Sequence, residues 1–213
     1  MVLMNRSHIL GITAIALAVV ANVAPAQTAV TPRARADSAR YPYTDADIRF
    51  MSGMIGHHAQ AIVMAGWAPS HGASASVRTL CERIINEQSD EIVSMQTWLR
   101  DRGQPAPDGH TMGMKMMMNG HEETMLMPGM LTEAQMKELD AARGTEFDRL
   151  FLTYMIQHHK GAVSMVHDLF ESYGAAQDEA VFKFASDVNV DQSTEIARMQ
   201  KMLLALEIEG GSK

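Results

Sequence analysis

Two adjacent histidine pairs framed by methionine are the residues of this chain best suited to chemistry. The first lies in Met54-Ile55-Gly56-His57-His58-Ala59-Gln60-Ala61-Ile62-Val63-Met64. The second lies in Met155-Ile156-Gln157-His158-His159-Lys160-Gly161-Ala162-Val163-Ser164-Met165. Imidazole nitrogen binds copper, zinc or nickel. Thioether sulfur is soft and neutral, and prefers Cu(I) or Ag(I) to Mg, Ca or Mn. The mixture points to monovalent copper, with Ag(I) as a surrogate and Cu(II) open to the imidazoles. The bland alternative is polar helix positions beside methionine core filler.

At about 100° per residue, Met54, His57 and His58 share one helical sector, and the small Ala61 leaves room for an ion or a facing residue. Met155, His158, His159 and Ala162 repeat the arrangement. The rings of a pair are not equivalent. His58 and His159 project toward the apolar stripes, which are Ile48, Met51, Ile55 and Ile62 in one copy and Leu152, Val163, Val166 and Phe170 in the other. His57 and His158 fall at a boundary, on the edge that carries Met64 and Met165. Met64 stands about 10 Å along the axis from His57, too far to share one ion comfortably. It is therefore expected to complete a site with Met95 of a neighbouring helix, and Met165 similarly with Met199.

A third concentration of ligands comprises His110, Met112, Met114, Met116, Met117, Met118, His121, Met125, Met127 and Met130. Gly, Lys, Asn and Pro interrupt it, so 108–131 reads as an irregular segment. Flexible thioethers capture Cu(I) or Ag(I) with little geometric demand. A hydrophobic lid or a methionine-rich protein contact is the alternative, and a lid is compatible with capture. A paired-iron site is not supported, because no Glu-x-x-His occurs. Glu91 and Glu195 occupy matched positions. They read as solvated or salt-bridging residues, with a role as acceptors for ligand imidazoles also open. No nucleophile triad or Gly-rich phosphate loop suggests a hydrolase or kinase.

The elements that position these residues are helical. Thr44 can cap a helix to about Trp67, with Asp47 in its first turn, and Ala68-Pro69-Ser70-His71-Gly72 stops it. A second helix is expected over 73–102, where Val77, Leu80, Ile84, Ile85, Ile92, Met95 and Leu99 recur at helical spacing. Thr132-Glu133-Ala134-Gln135 has the form of a capping box and opens a short helix to about Ala142. Two more helices are expected over 145–172 and 178–206. Gln88-Ser89-Asp90-Glu91-Ile92-Val93-Ser94-Met95 matches Gln192-Ser193-Thr194-Glu195-Ile196-Ala197-Arg198-Met199. The reading is all-α: an antiparallel four-helix bundle built from two repeated helical hairpins with a Met-rich connecting loop. No period-2 strand of useful length is expected.

The 213 residues suit one domain, and the net charge of −7 offers no basic field for nucleic acid. Residues 1–26 read as a signal peptide: Arg6, an apolar run from Ile9 to Val20, then Ala24-Pro25-Ala26. An uncleaved anchor is the other reading; cleavage would leave no stable anchor. A flexible leader over 27–43, the bundle over 44–206 and a tail over 207–213 complete the expected organisation. Cys81, the single cysteine, has no intramolecular partner and is expected to pack as a small apolar residue.

Met-x-x-His-His-x-x-Ala-x-x-x-Met, carried by Met54, His57, His58, Ala61 and Met64, resembles a bacterial family described as domain of unknown function 305. So does the stretch from Phe147 through Ala162. The resemblance covers about 44–206. It implies a ferritin-like four-helix bundle, exported to the periplasm or outside the cell, and copper or silver binding of the CopM type in copper tolerance. The expected function is a periplasmic or secreted Cu(I)/Ag(I)-binding protein that buffers the ion or hands it to a copper pump or chaperone. No catalytic step is required. A copper-dependent oxidase or redox protein, and a metal-free envelope interaction module, are the alternatives.

Overall fold

The computed structural model describes residues 31–32, 35–36, 42–118 and 121–211. The signal peptide lies outside the described residues, as does most of the leader. Among the described residues, the helices from Asp45 onward run in the order α1 (Asp45–Gly66), α2 (Ala75–Asp101), α3 (Glu133–Ala141), α4 (Thr145–Glu171) and α5 (Glu179–Gly211). Between α2 and α3 lie two short strands, β1 (Met114–Met118) and β2 (His121–Met125).

Local chemistry sets the helix starts. Thr44 and Asp47 form a reciprocal capping box on α1, and Thr132 and Gln135 form one on α3. Ser74 caps α2 by accepting from the Val77 N–H. The helix at the C-terminus continues to Gly211, beyond the expected end at 206. Leu206-Glu207-Ile208-Glu209 contains no breaker, so the tail extends the helix instead of leaving it.

α1 packs on α2, and α4 on α5, as two hairpins; the hairpins meet through α1 and α4. Contacts such as Tyr43 with Trp98, His58 with Glu91, and Phe170 with Phe182 make each hairpin antiparallel. Each hairpin also caps the other. Asp148 of α4 accepts from the Ser74 N–H at the start of α2, at 3.1 and 3.2 Å. Asp47 of α1 accepts from the Ala176 N–H, 2.7 Å away in the α4–α5 loop. At one end Arg102 and Asp178 form a buried ion pair. Trp98 Nε1 donates to the same carboxylate, and the Arg102 guanidinium lies 4.4 Å over the Trp98 ring.

The core divides into two clusters. One gathers Phe147, Phe151, Leu80, Ile84 and Leu139, and the other Phe50, Ile55, Trp98, Leu99 and Val181. Cys81 sits in the first cluster as a free buried thiol, as expected, and burial pushes its pKa up to about 12. Phe170, read as part of the α4 stripe, is instead 42% exposed, against Phe182.

The segment 108–131 differs from the irregular reading. β1 and β2 pair antiparallel, with Met114 opposite Met125 and Met118 opposite His121. A strand needs only backbone partners and a tight connection, and five residues on each side suffice for this ribbon. The chain on both sides of the ribbon lies as a strap across α1 and α4. The Gly113 N–H donates to the Gly56 carbonyl at 3.2 Å. A Cβ at Gly56 would meet the Gly113 oxygen at 2.1 Å, and one at Gly161 would meet the Pro128 oxygen at 1.9 Å. Only glycine permits these backbone contacts. Gln60 fixes the far end, donating to the Leu131 carbonyl at 3.0 Å and accepting from the Leu131 N–H at 2.7 Å.

Candidate metal centre

The histidine pairs meet where α1 and α4 face each other. The rings of His57 and His158 stand 3.8 Å apart, centroid to centroid. His58 lies 6.4 Å from His57, and His159 lies 6.2 Å from His158. All four side chains are fully buried. His57 and His158 are therefore core residues and not boundary ones. The opposing helix covers one side of the edge and the strap covers the other, and neither is visible in one helix's periodicity.

Every Nε2 faces an oxygen. His57 Nε2 donates to the Pro128 carbonyl at 3.0 Å, and His158 Nε2 to the His57 carbonyl at 3.0 Å. His58 Nε2 donates to Glu91 and His159 Nε2 to Glu195, each at 2.7 Å. Carbonyls and ionised carboxylates only accept, so the proton is assigned to Nε2. The neutral ring then carries its lone pair on Nδ1. All four Nδ1 atoms are buried without a hydrogen-bond partner. Glu91 and Glu195, read first as solvated or salt-bridging, thus orient imidazoles; Glu195 also pairs with Arg83.

The electrostatics favour neutral rings at His57, His158 and His159. Burial, reinforced by the neighbouring His58, pushes the His57 pKa down to about 3. Burial, with His57 next to it, holds His158 well below the ordinary histidine value. For His159 burial again dominates and lowers the value, against the opposing pull of Glu195. Burial pushes the Glu195 carboxyl up, but His159 and Arg83 outweigh it and hold it below the usual range. A downward shift at His159 and a carboxylate stabilised by a charged His159 do not fit together. Full burial of the ring decides for a neutral imidazole donating to an ionised carboxylate, with Arg83 as the countercharge.

Methionines flank the rings in two sets. Met54, Met95 and Met165 lie in one core cluster; Met64, Met155 and Met199 lie in the other. The expected pairs, Met64 with Met95 and Met165 with Met199, do not form. Antiparallel register explains why. With His58 opposite Glu91, Met95 falls beside Met54; with His159 opposite Glu195, Met199 falls beside Met155. The antiparallel crossing of α1 and α4 then sends Met165 toward Met54 and Met64 toward Met155. Each set draws one thioether from each of three helices.

The strap residues separate by depth. Met130 is buried and Met127 half-buried. His110, His121, Met112, Met117 and Met125 are exposed, and Met114 is intermediate. The side chains of Met116 and Met118 lie outside the described set. The strap covers His57 through Pro128, so the lid reading describes its position. Among the described residues, no three His, Cys, Asp or Glu side chains are arranged to hold a metal by themselves.

Two buried amides escaped the sequence reading. Gln88 and Gln192 are buried; both polar atoms of Gln88 and the Gln192 oxygen lack partners. They occupy equivalent places one turn before Glu91 and Glu195, and the repeated Gln-Ser-x-Glu-Ile phrase was the available signal.

The sequence profile of the family described as Domain of unknown function (DUF305) matches residues 47–203. A solved DUF305 protein from Streptomyces coelicolor is 25% identical, with 76% of this chain and 94% of that chain covered and a TM-score of 0.63. A DUF305 fragment from Deinococcus radiodurans is 27% identical, covering 76% and 97%, with a TM-score of 0.62. CopM in its Cu(I)-bound form is 27% identical, covering 75% and 96%, with a TM-score of 0.56. CopM has also been solved with Cu(II) and with silver bound. No curated protein matches the chain. Among the described residues no helix is long and apolar enough to cross a membrane.

Proposed function

The chain belongs to the DUF305 family, and from that premise we propose that it binds Cu(I) or Ag(I) and buffers the ion or hands it over in copper tolerance. One observation carries the reading: four buried histidines at one centre, each tethered at Nε2 and each with an unpartnered Nδ1. An unsatisfied buried polar atom costs about 1–3 kcal/mol, and metal-binding histidines characteristically give their other nitrogen to a carboxylate or carbonyl. The two methionine sets supply soft sulfur on either side of the rings, which favours the monovalent ion. CopM, of similar sequence, binds Cu(I), Cu(II) and silver, which supports the same cargo here. We read the two hairpins as a ferritin-like antiparallel four-helix bundle with this centre inside it, and the exposed strap methionines as the capture surface. The signal-like N-terminus supports a periplasmic or secreted location, with a copper pump or chaperone as recipient.

The test is anaerobic Cu(I) titration against a competing chelator. The purified protein is compared with a variant carrying His57→Ala, His58→Ala, His158→Ala and His159→Ala, and with one whose strap methionines are Leu. Tight binding lost in the histidine variant supports the reading. Equal binding by all three proteins refutes it. Sustained oxygen consumption with Cu(I) would instead favour an oxidase.

A further inference from the structure

We propose, resting on the copper and silver reading above, that Met127 and Met165 form a two-thioether port for the monovalent ion between the strap surface and the buried histidines. The two side chains close on one point from different elements. A Cβ placed on Gly53 would lie 3.1 Å from Met127 Sδ and 3.6 Å from Met165 Cε. Gly53 thus leaves the space in which both thioethers meet. On the solvent side they line a cavity of about 220 Å³, together with Arg49, Phe50, Pro128 and Asp168. Its rim carries one cation and one anion, so charge alone does not concentrate divalent ions there, and selection falls to soft sulfur.

Depth orders the thioethers along a route. Met125 is 41% exposed, Met127 half-buried, Met165 8% exposed and Met54 fully buried. Met54, Met165 and Met127 pack within one cluster, and Met54 is three residues before His57 on α1. The residue after Met127 is Pro128, whose carbonyl holds His57 Nε2 at 3.0 Å. The Met127 N–H donates to Met130 Sδ at 3.2 Å, which fixes the turn that presents the Met127 side chain. Exchange between neutral thioether pairs moves an ion inward without oxidation and without proton transfer.

The test is stopped-flow loading of the purified protein with Ag(I), and with Cu(I) under anaerobic conditions, from a weak carrier ligand. Met127→Leu keeps side-chain volume and removes the sulfur that the strap contributes to the port. The expected result is filling slowed by about tenfold or more, with the equilibrium affinity of the histidine centre unchanged. In a second variant, Gly53→Ala, the new methyl displaces the flexible Met127 sulfur and leaves every thioether present; it should slow filling as well. Methyl NMR should show Met127 and Met165 shifting at the first addition of Ag(I). Unchanged filling rates in both variants would overturn the port while leaving the copper reading intact. Equal loss of rate and affinity would also overturn it, by making the pair part of the final site. A wild-type protein that binds no better than the four-histidine variant would sink the copper reading, and the port with it.

Discussion

The two halves of the histidine centre descend from one repeated phrase, yet they sit in different surroundings. His159 hands its proton-bearing nitrogen to Glu195, which is 7% exposed and also holds Arg83. His58 does the same with Glu91, which is 21% exposed. His158 leans on the backbone of the opposite helix, whereas His57 leans on the strap at Pro128. The contrast teaches that the duplicated phrase sets which ring nitrogen is tethered, while non-repeated chain sets how wet and how movable each tether is. The second half is tethered to helix backbone and a buried carboxylate, the first half to the strap and a wetter carboxylate.

The largest expected effect concerns what both halves share. At His57, His158 and His159 the buried rings are neutral, so below the ordinary histidine value near 6.5 the unfolded chain takes up protons that the folded chain refuses. For His57 the folded value is about 3. Its contribution is complete above pH 6.5 and is lost as pH falls from 6.5 toward 3, a change of about 5 kcal/mol. His158 and His159 shift the same way. Urea denaturation as a function of pH should show stability falling steeply on acidification. A flat profile between pH 7 and 5 would mean the rings are not buried neutral.

The next effect separates the halves. Glu195→Ala leaves the buried His159 Nε2–H without an acceptor and Arg83 with only Glu87, 3.6 Å away, and should cost about 2–3 kcal/mol. Glu91→Ala breaks a wetter bond and should cost about 1 kcal/mol. Denaturant midpoints of the two variants check this, and equal losses would erase the proposed asymmetry. Gly161→Ala forces a methyl against the Pro128 backbone and should lift the strap, costing about 1–3 kcal/mol. Hydrogen exchange should then speed up over 127–131 and leave α5 unchanged. The smallest effect belongs to the reciprocal caps. Asp47→Asn and Asp148→Asn should each cost about 1 kcal/mol. Similar losses would show that the duplication preserved the caps as equals.

Much of this was legible in the sequence because it is local. Thr44 and Thr132 carry their own cap partners three residues on, and the helices follow within a few residues. The repeat exposed two hairpins and matched Glu91 with Glu195. What failed was whatever depends on a distant chain. Met64 and Met95 share no cluster, because hairpin register decides partners and helical periodicity does not. His57 is buried because 127–131 returns over it from some 70 residues away. The ribbon carries a local signal, Asn119-Gly120 between two five-residue runs, but its methionines show no polar alternation. Asp47-Ile48-Arg49-Phe50 beside Asp148-Arg149-Leu150-Phe151 likewise marked the reciprocal caps.

The central claim is that the unpartnered Nδ1 atoms, and not the tethered Nε2 atoms, receive the ion. Long-range ¹H–¹⁵N NMR of the ¹⁵N-histidine-labelled protein, recorded before and after Ag(I), reads this directly. The account expects His57, His58, His158 and His159 to keep Nε2–H in both states while their Nδ1 signals move on silver binding. Silver-induced shifts at Nε2, or Nδ1 signals that stay fixed while silver binds, would contradict it.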